Sequence, residues 1–164
     1  MKARAAALAA LFILLLAIDI LTKWAVQVNL APYQIITVVP GLFNITYILN
    51  PGAAFGIFQD KPELFRRLFF SGITLVACGL LITLLIKEVR CLLRSVGYIL
   101  ILAGAAGNLY DRVRLDKVVD FLDFYIGAYH WYTFNLADSF ISVGVVLLLI
   151  ELAASELKKL KQSR

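Results

Sequence analysis

The sequence predicts an all-α polytopic membrane protein: four transmembrane helices with a small extracytoplasmic β-structure and a loop lid. Three observations predict it. Apolar residues make up 62% of the 164 and charged residues only 16%, and the mean hydropathy is +0.86, far outside the composition of soluble globular chains. Four runs are long and apolar enough, at roughly 20 residues each, to cross a bilayer core. Two polar, aromatic-rich stretches separate the first run from the second and the third from the fourth. The same composition excludes disorder, coiled coil, collagen and disulfide-rich secreted scaffolds, because none combines so much apolar content with only two cysteines. The formal charge of +5 has a use at a membrane surface, and no nucleic-acid motif accompanies it.

The first span begins after Lys2 and Arg4, is free of charge from Ala5 to Ile18, and continues through Asp19 and Lys23 to cover about 5–26. A secretory signal peptide also places basic residues before an apolar stretch. Here no small-x-small cleavage site follows, and Asp19 and Lys23 interrupt the exit, so an uncleaved helix is expected. The outer segment 27–67 holds two β-favouring stretches, Ile35 to Val39 and Phe43 to Leu49, parted by Pro40 and Gly41. Its apolar residues Ile35, Val38, Leu42, Phe43, Tyr47 and Phe55 are too numerous for a solvated loop and should face lipid, an apolar ligand or each other. Its later part, Asn50 to Phe58, carries Gly52 and Gly56 and is expected to open and close as the lid.

The second span, 68–86, lies between Arg67 and Lys87, and the third, 92–110, is interrupted only by Arg94. The segment 111–134 is rich in Asp and aromatic residues, of which Tyr125, Tyr129, Trp131 and Tyr132 suit an interfacial belt. The fourth span, 135–153, has Asp138 in its first turn and Glu151 in its last. Residues 1–164 thus read as one integral membrane domain. An even number of spans puts both termini on one side. Lys2, Arg4, Lys87, Arg90, Arg94, Lys158, Lys159, Lys161 and Arg164 mark that side as cytoplasmic.

Ionisable residues at bilayer depth are costly, so those near span ends are functional candidates. Asp19 and Lys23, four apart, share a helix face in the order that favours an ion pair; a structural anchor and a place in a site both fit. Asn50 and Gly52 fall in a run of small residues that lets backbone approach another surface closely, though a plain turn would look the same. Gly104, Asn108, Asp111 and Arg112 stack along one helix face. Tight packing explains the glycines of that stripe and leaves its polar residues unexplained.

Asp120 is embedded among Val118, Val119, Phe121 and Leu122, and Asp138 follows Asn135 by one turn. Two carboxylates brought together away from water share a proton, so one can activate water while the other protonates a leaving amine. Each alone has a plainer reading, Asp138 as a helix N-terminal acid and Asp120 as a surface acid, and Asp123 competes for the role of Asp120. His130 is the only histidine, which removes a Ser-His-Asp triad unless it serves as sole base. No metal-ligand spacing exists. Asp111, Asp116, Asp120 and Asp123 would suit Mg²⁺ by type, but Arg112, Arg114 and Lys117 intervene. Neither Cys78 nor Cys91 suggests a disulfide framework or a zinc site. No metal or cofactor is therefore expected.

Read together, D-I-L-T-K at 19–23, N-P-G-A-A-F at 50–55, G-N-L-Y-D-R at 107–112, V-V-D-F at 118–121 and F-N-L-A-D-S at 134–139 resemble the bacterial lipoprotein signal peptidase (signal peptidase II) family. The resemblance spans essentially the whole chain. It implies an aspartic endopeptidase of the bacterial inner membrane with its site at the outer leaflet and Asp120 and Asp138 as catalytic dyad. The implied substrate is a prolipoprotein whose cysteine carries diacylglycerol, cut N-terminal to that cysteine. Asn50, Asn108, Arg112 and Asn135 match positions that contact substrate or support the site; Asp19, Lys23, Gly104 and Asp111 match other motif positions. The family also binds the cyclic peptide globomycin. The implied partners are the prolipoprotein, membrane lipids and that inhibitor, with a monomer as the expected state. From the residues alone, a small transporter or proton-relay subunit is the competing class, and a structural assembly subunit a third. Relays place acids near mid-span, whereas Asp19, Asp111, Asp120 and Asp138 fall at outer ends.

Overall fold

A chain inside a bilayer must satisfy its backbone within each span, which leaves helices for four separate apolar runs. The computed structural model describes residues 2–52, 58, 60–88 and 91–162. In chain order it contains α1 (Lys2–Asn29), β1 (Ile35–Val39), β2 (Phe43–Asn50), α2 (Glu63–Glu88), α3 (Leu92–Leu115), β3 (Val118–Ile126), β4 (Tyr129–His130) and α4 (Leu136–Gln162). Among the described residues all four helices are long and apolar enough to cross a membrane, and the chain is a multi-pass membrane protein. Each helix outruns the apolar stretch that predicts it. Helices of 24 to 28 residues reach about 36–42 Å against a hydrocarbon core of about 30 Å, so their polar ends project into the headgroup layers.

Helix α3 is the centre of the bundle and packs against α4, α1 and α2. Its contact with α4 is close because it is made of small residues: a Cβ on Gly104 would sit 2.3 Å from the Ala137 carbonyl oxygen, and one on Gly144 2.7 Å from the Gly97 oxygen. Helix α2 buries no residue fully; Leu68, Ile73, Val76, Leu80 and Ile86 among its apolar side chains are exposed, as lipid-facing side chains are.

The β-structure is larger than the sequence predicts. A four-stranded antiparallel sheet runs β1-β2-β3-β4, and half of its strands come from the segment read as an aromatic belt. Strand β3 is rich in β-branched and aromatic residues, but its partner β2 lies far upstream in sequence. Residues 111–115, expected to open that segment, instead complete α3, which ends where Asp116 turns left-handed (φ 57°) and its N–H bonds the Arg112 carbonyl at 3.1 Å. Between Ile45↔Leu122 and Ile48↔Asp120 strand β2 carries an extra residue, a bulge that twists the sheet.

The expectation for the outer apolar residues divides. Phe43 packs on Phe124 with ring centroids 4.7 Å apart, and Tyr47 joins a small core of Val26, Val119 and Phe121 where α1 meets the sheet. Ile35, Val38 and Leu42 stay exposed. Of the expected lid, residues 53–57, including Phe55 and Gly56, lie outside the described residues.

Candidate active site

Helix α4 begins with a reciprocal cap. Asn135 Oδ1 accepts the Asp138 N–H at 3.0 Å, while Asp138 Oδ2 accepts the Asn135 N–H at 3.3 Å. A third orphan donor of this helix end, the Ala137 N–H, is met by Asp19 Oδ1 of α1 at 2.9 Å. Position 138 is thus held both by its own turn and by another helix.

Asp19 also pairs with Lys23 at 2.9 Å, and Lys23 reaches Asp111 of α3 at 3.1 Å, all three side chains being fully buried. Asp111 in turn accepts the Val119 N–H at 3.1 Å, which pins the start of β3. Of the readings open for Asp19 and Lys23, the structure places them beneath the site as its anchor. Gly107 is part of the same fit, since a Cβ there would lie 2.2 Å from Asp19 Oδ2.

Lys23 donates as well to Asn108 Oδ1 at 3.0 Å. An ammonium has no acceptor, so this bond fixes which end of the Asn108 amide is which. The Asn108 NH₂ must then face the other way, where it donates to Asp138 Oδ1 at 2.8 Å. Asn135 is oriented by the same logic. Its Oδ1 is committed to a backbone N–H, and its NH₂ donates to Asp120 Oδ1 at 2.7 Å and to Asn108 Oδ1 at 3.2 Å. Asn50 repeats the pattern, with Oδ1 accepting the Gly52 N–H at 3.0 Å and NH₂ donating to Asp120 Oδ2 at 2.9 Å. Three asparagines are thus locked by donor-only groups, and every oxygen of the two aspartates receives one N–H.

Asn50, Gly52, Asn108, Arg112, Asp120 and Asp138 all border one cavity of about 570 Å³. Asp120 is only 3% exposed, which excludes the surface-acid reading. Burial first, and the neighbouring Asp138 second, push its carboxyl up to about 7 against the pull of the Asn50 and Asn135 amides and of Lys23. Arg112 donates weakly to the Asn108 carbonyl at 3.5 Å and lies over the Phe70 ring, 5.3 Å from its centroid.

The predicted residues sort into three places. Asp19, Lys23 and Asp111 form the buried anchor, Gly104 is the close-packing point against α4, Asn135 is fully buried behind the two aspartates, and the remainder meet at the cavity. Asp123 is elsewhere. Three residues from Asp120 on one strand, it projects to the opposite face and is bound by Asn44 Nδ2 at 2.8 Å and by His130 Nδ1 at 2.8 Å. The sequence reading missed Asn44 and the pairing of His130. It also left Trp131 and Tyr132 in an interfacial belt, whereas with Thr133 they border the cavity. Proximity to the F-N-L-A-D-S motif was the available signal for that wall. Among the described residues no cluster of His, Cys, Asp and Glu is arranged to hold a metal ion.

A family model described as signal peptidase (SPase) II matches residues 11–154. The chain belongs to the signal peptidase II family. Membership makes it a peptidase, and the transporter, proton-relay and assembly-subunit alternatives fall with it. It is 48% identical over 147 residues to the lipoprotein signal peptidase of Syntrophus aciditrophicus (strain SB), covering 89% of this chain and 91% of that one. With the lipoprotein signal peptidase of Geobacter metallireducens (strain ATCC 53774 / DSM 7210 / GS-15) it shares 46% over 150 residues, 90% and 91% of the two chains. A bacterial membrane enzyme solved by the in meso method at 2.3 Å resolution superposes with a TM-score of 0.85 at 33% identity, over 94% of this chain and 92% of that one.

Proposed function

We propose that this signal peptidase is an aspartic endopeptidase that cuts diacylglyceryl-modified prolipoproteins on the N-terminal side of the modified cysteine, with Asp120 and Asp138 as its catalytic pair. The observation that carries the reading is the pair itself: two carboxyls on one cavity wall, one of them raised to about 7 by burial and by the other. Near neutral pH such a pair holds one proton between its members. Asp138 accepts N–H groups from Asn108 and Asn135 and lies in the first turn of α4, where the helix favours an anion. It is the base, taking a proton from water as the water oxygen attacks the scissile carbonyl carbon. Asp120 delivers its proton to the carbonyl oxygen, and Arg112 on the cavity wall steadies charge there. The C–N bond breaks as the pair returns a proton to the leaving nitrogen. The products are a signal peptide ending in a carboxyl group and a chain beginning with the free amine of the modified cysteine.

A substrate anchored by acyl chains presents this bond at the membrane edge, where the spans meet the sheet. The enzyme resides in the bacterial inner membrane as a monomer among lipids, both termini cytoplasmic, and the cavity faces the periplasm or cell exterior. Globomycin competes for the same cavity. The test is to incubate the purified protein with a diacylglyceryl-modified prolipoprotein and with its unmodified form. Cleavage of the modified form alone is expected. Equal cleavage of both would overturn the substrate class, and cleavage of neither would overturn the activity.

A further inference from the structure

A second cavity, of about 350 Å³, lies on the sheet and shares the residues Trp131, Tyr132 and Thr133 with the first. That tripeptide is the wall between them. Its register is fixed on both sides, by the Trp131 N–H bonding the Phe124 carbonyl at 2.8 Å and the Phe134 N–H bonding the Leu122 carbonyl at 3.1 Å. Along β2, Thr46 and Ile48 line the second cavity, while Asn50, farther along the strand past the bulge, lines the first. The two spaces therefore follow one strand, the first beside α4 and the second out on the sheet.

Asp123 and His130 also line the second cavity. The Asp123 carboxylate is almost fully buried, and both its oxygens lie within 3.0 Å of His130 Nδ1. A carboxylate only accepts, so Nδ1 carries the hydrogen and Nε2, on the far side of the ring, is the atom left for an incoming group. The ring is held flat on Tyr125, centroids 4.9 Å apart and planes 8° from parallel, and Tyr125 Oη in turn accepts the Gly41 N–H at 2.8 Å. A half-exposed histidine braced on two sides is oriented more firmly than a surface residue requires. The peptidase mechanism uses none of these groups.

We propose that this second cavity is the subsite for the extended peptide that follows the modified cysteine, with His130 Nε2 accepting a backbone N–H of that segment and Ile35 and Ile48 flanking its side chains. The inference rests on the peptidase reading and deepens it. A substrate whose signal segment and acyl chains occupy the bilayer side of the first cavity must lead its downstream chain outward, and the adjoining space across residues 131–133 is the second cavity.

The test uses the full-length enzyme and two diacylglyceryl-modified substrates, one ending as an amide at the modified cysteine and one extended by several residues. His130→Ala removes the acceptor, and Ile35→Trp, at an exposed edge position, narrows the space away from Asp120 and Asp138. Each variant should raise KM for the extended substrate about 3- to 10-fold, the weight of one hydrogen bond or a lost seat, with kcat and the thermal midpoint unchanged. Neither should alter KM for the cysteine amide. Equal effects on both substrates, or none on either, would overturn the subsite. Failure of the unmodified enzyme to cut either substrate would instead overturn the peptidase reading beneath it.

Discussion

Replacing Asp120 by Asn removes the group that burial makes hardest to ionise, and the consequence for stability has a sign and a size. An aspartate that ionises near 3.9 when unfolded and at about 7 in the fold binds more protons folded than unfolded in that window. Its contribution is fully present below pH 3.9, is lost as the pH rises through 7, and levels off above. From pH 4.5 to pH 8 the wild-type fold should lose about 3 kcal/mol through this group, a loss that the Asn variant cannot suffer. The variant has a cost of its own. Asn50 and Asn135 both donate to Asp120, and an amide offers one acceptor oxygen where the carboxylate offers two. One donor is left unmet, at about 1–3 kcal/mol and independent of pH. Asp120→Asn should therefore be less stable than wild type at pH 4.5 and as stable or more so at pH 8. For a chain of this length the midpoint difference should move by roughly 6–12 °C between the two conditions. Thermal unfolding in detergent followed by far-ultraviolet circular dichroism measures it. A difference that stays constant with pH, or moves the other way, would refute the assignment of Asp120 as the buried, proton-holding acid.

Asp120→Asn and Asp138→Asn should each abolish turnover of a lipid-modified substrate, because an amide can neither give nor take the proton, while Asp123→Asn on the opposite strand face should keep kcat close to wild type. Gly104→Ala should destabilise the bundle by a few kcal/mol and reduce activity, since its Cβ meets the Ala137 carbonyl at 2.3 Å, whereas Gly72→Ala has nothing within 4 Å and should be silent in the same melting assay. Lys23→Met leaves Asp19 and Asp111 buried without their cation and should lower stability by about 3–5 kcal/mol; at temperatures where it remains folded, kcat should still fall, because the Asn108 amide is no longer held toward Asp138. Activity should survive EDTA, and Cys78→Ser and Cys91→Ser should remain active; loss in chelator restored by Mg²⁺ or Zn²⁺ would point to metal chemistry.

Much of this protein follows from local sequence. The four spans are set by length and apolarity, because a bilayer admits few alternatives to a helix, and the polar residues of the site stand out because each is costly at that depth. The reach of the sequence ends where partners are distant. Strand β3 pairs with β2 across the whole of α2 and α3, and no local period carries that information. Asp120 and Asp123 are alike by composition. Only the pleat and the elements packed around β3 send one to Asp138 and the other to His130. Asp19 and Lys23 read as a plain i, i+4 pair until α3 and α4 close around them and turn the lysine into the group that orients Asn108. The sequence by itself determined that the chain crosses a membrane and which residue types the chemistry could use. The tertiary structure decided which carboxyl holds a proton, because that depends on burial and neighbouring charge, and both exist only once the helices and the sheet have met.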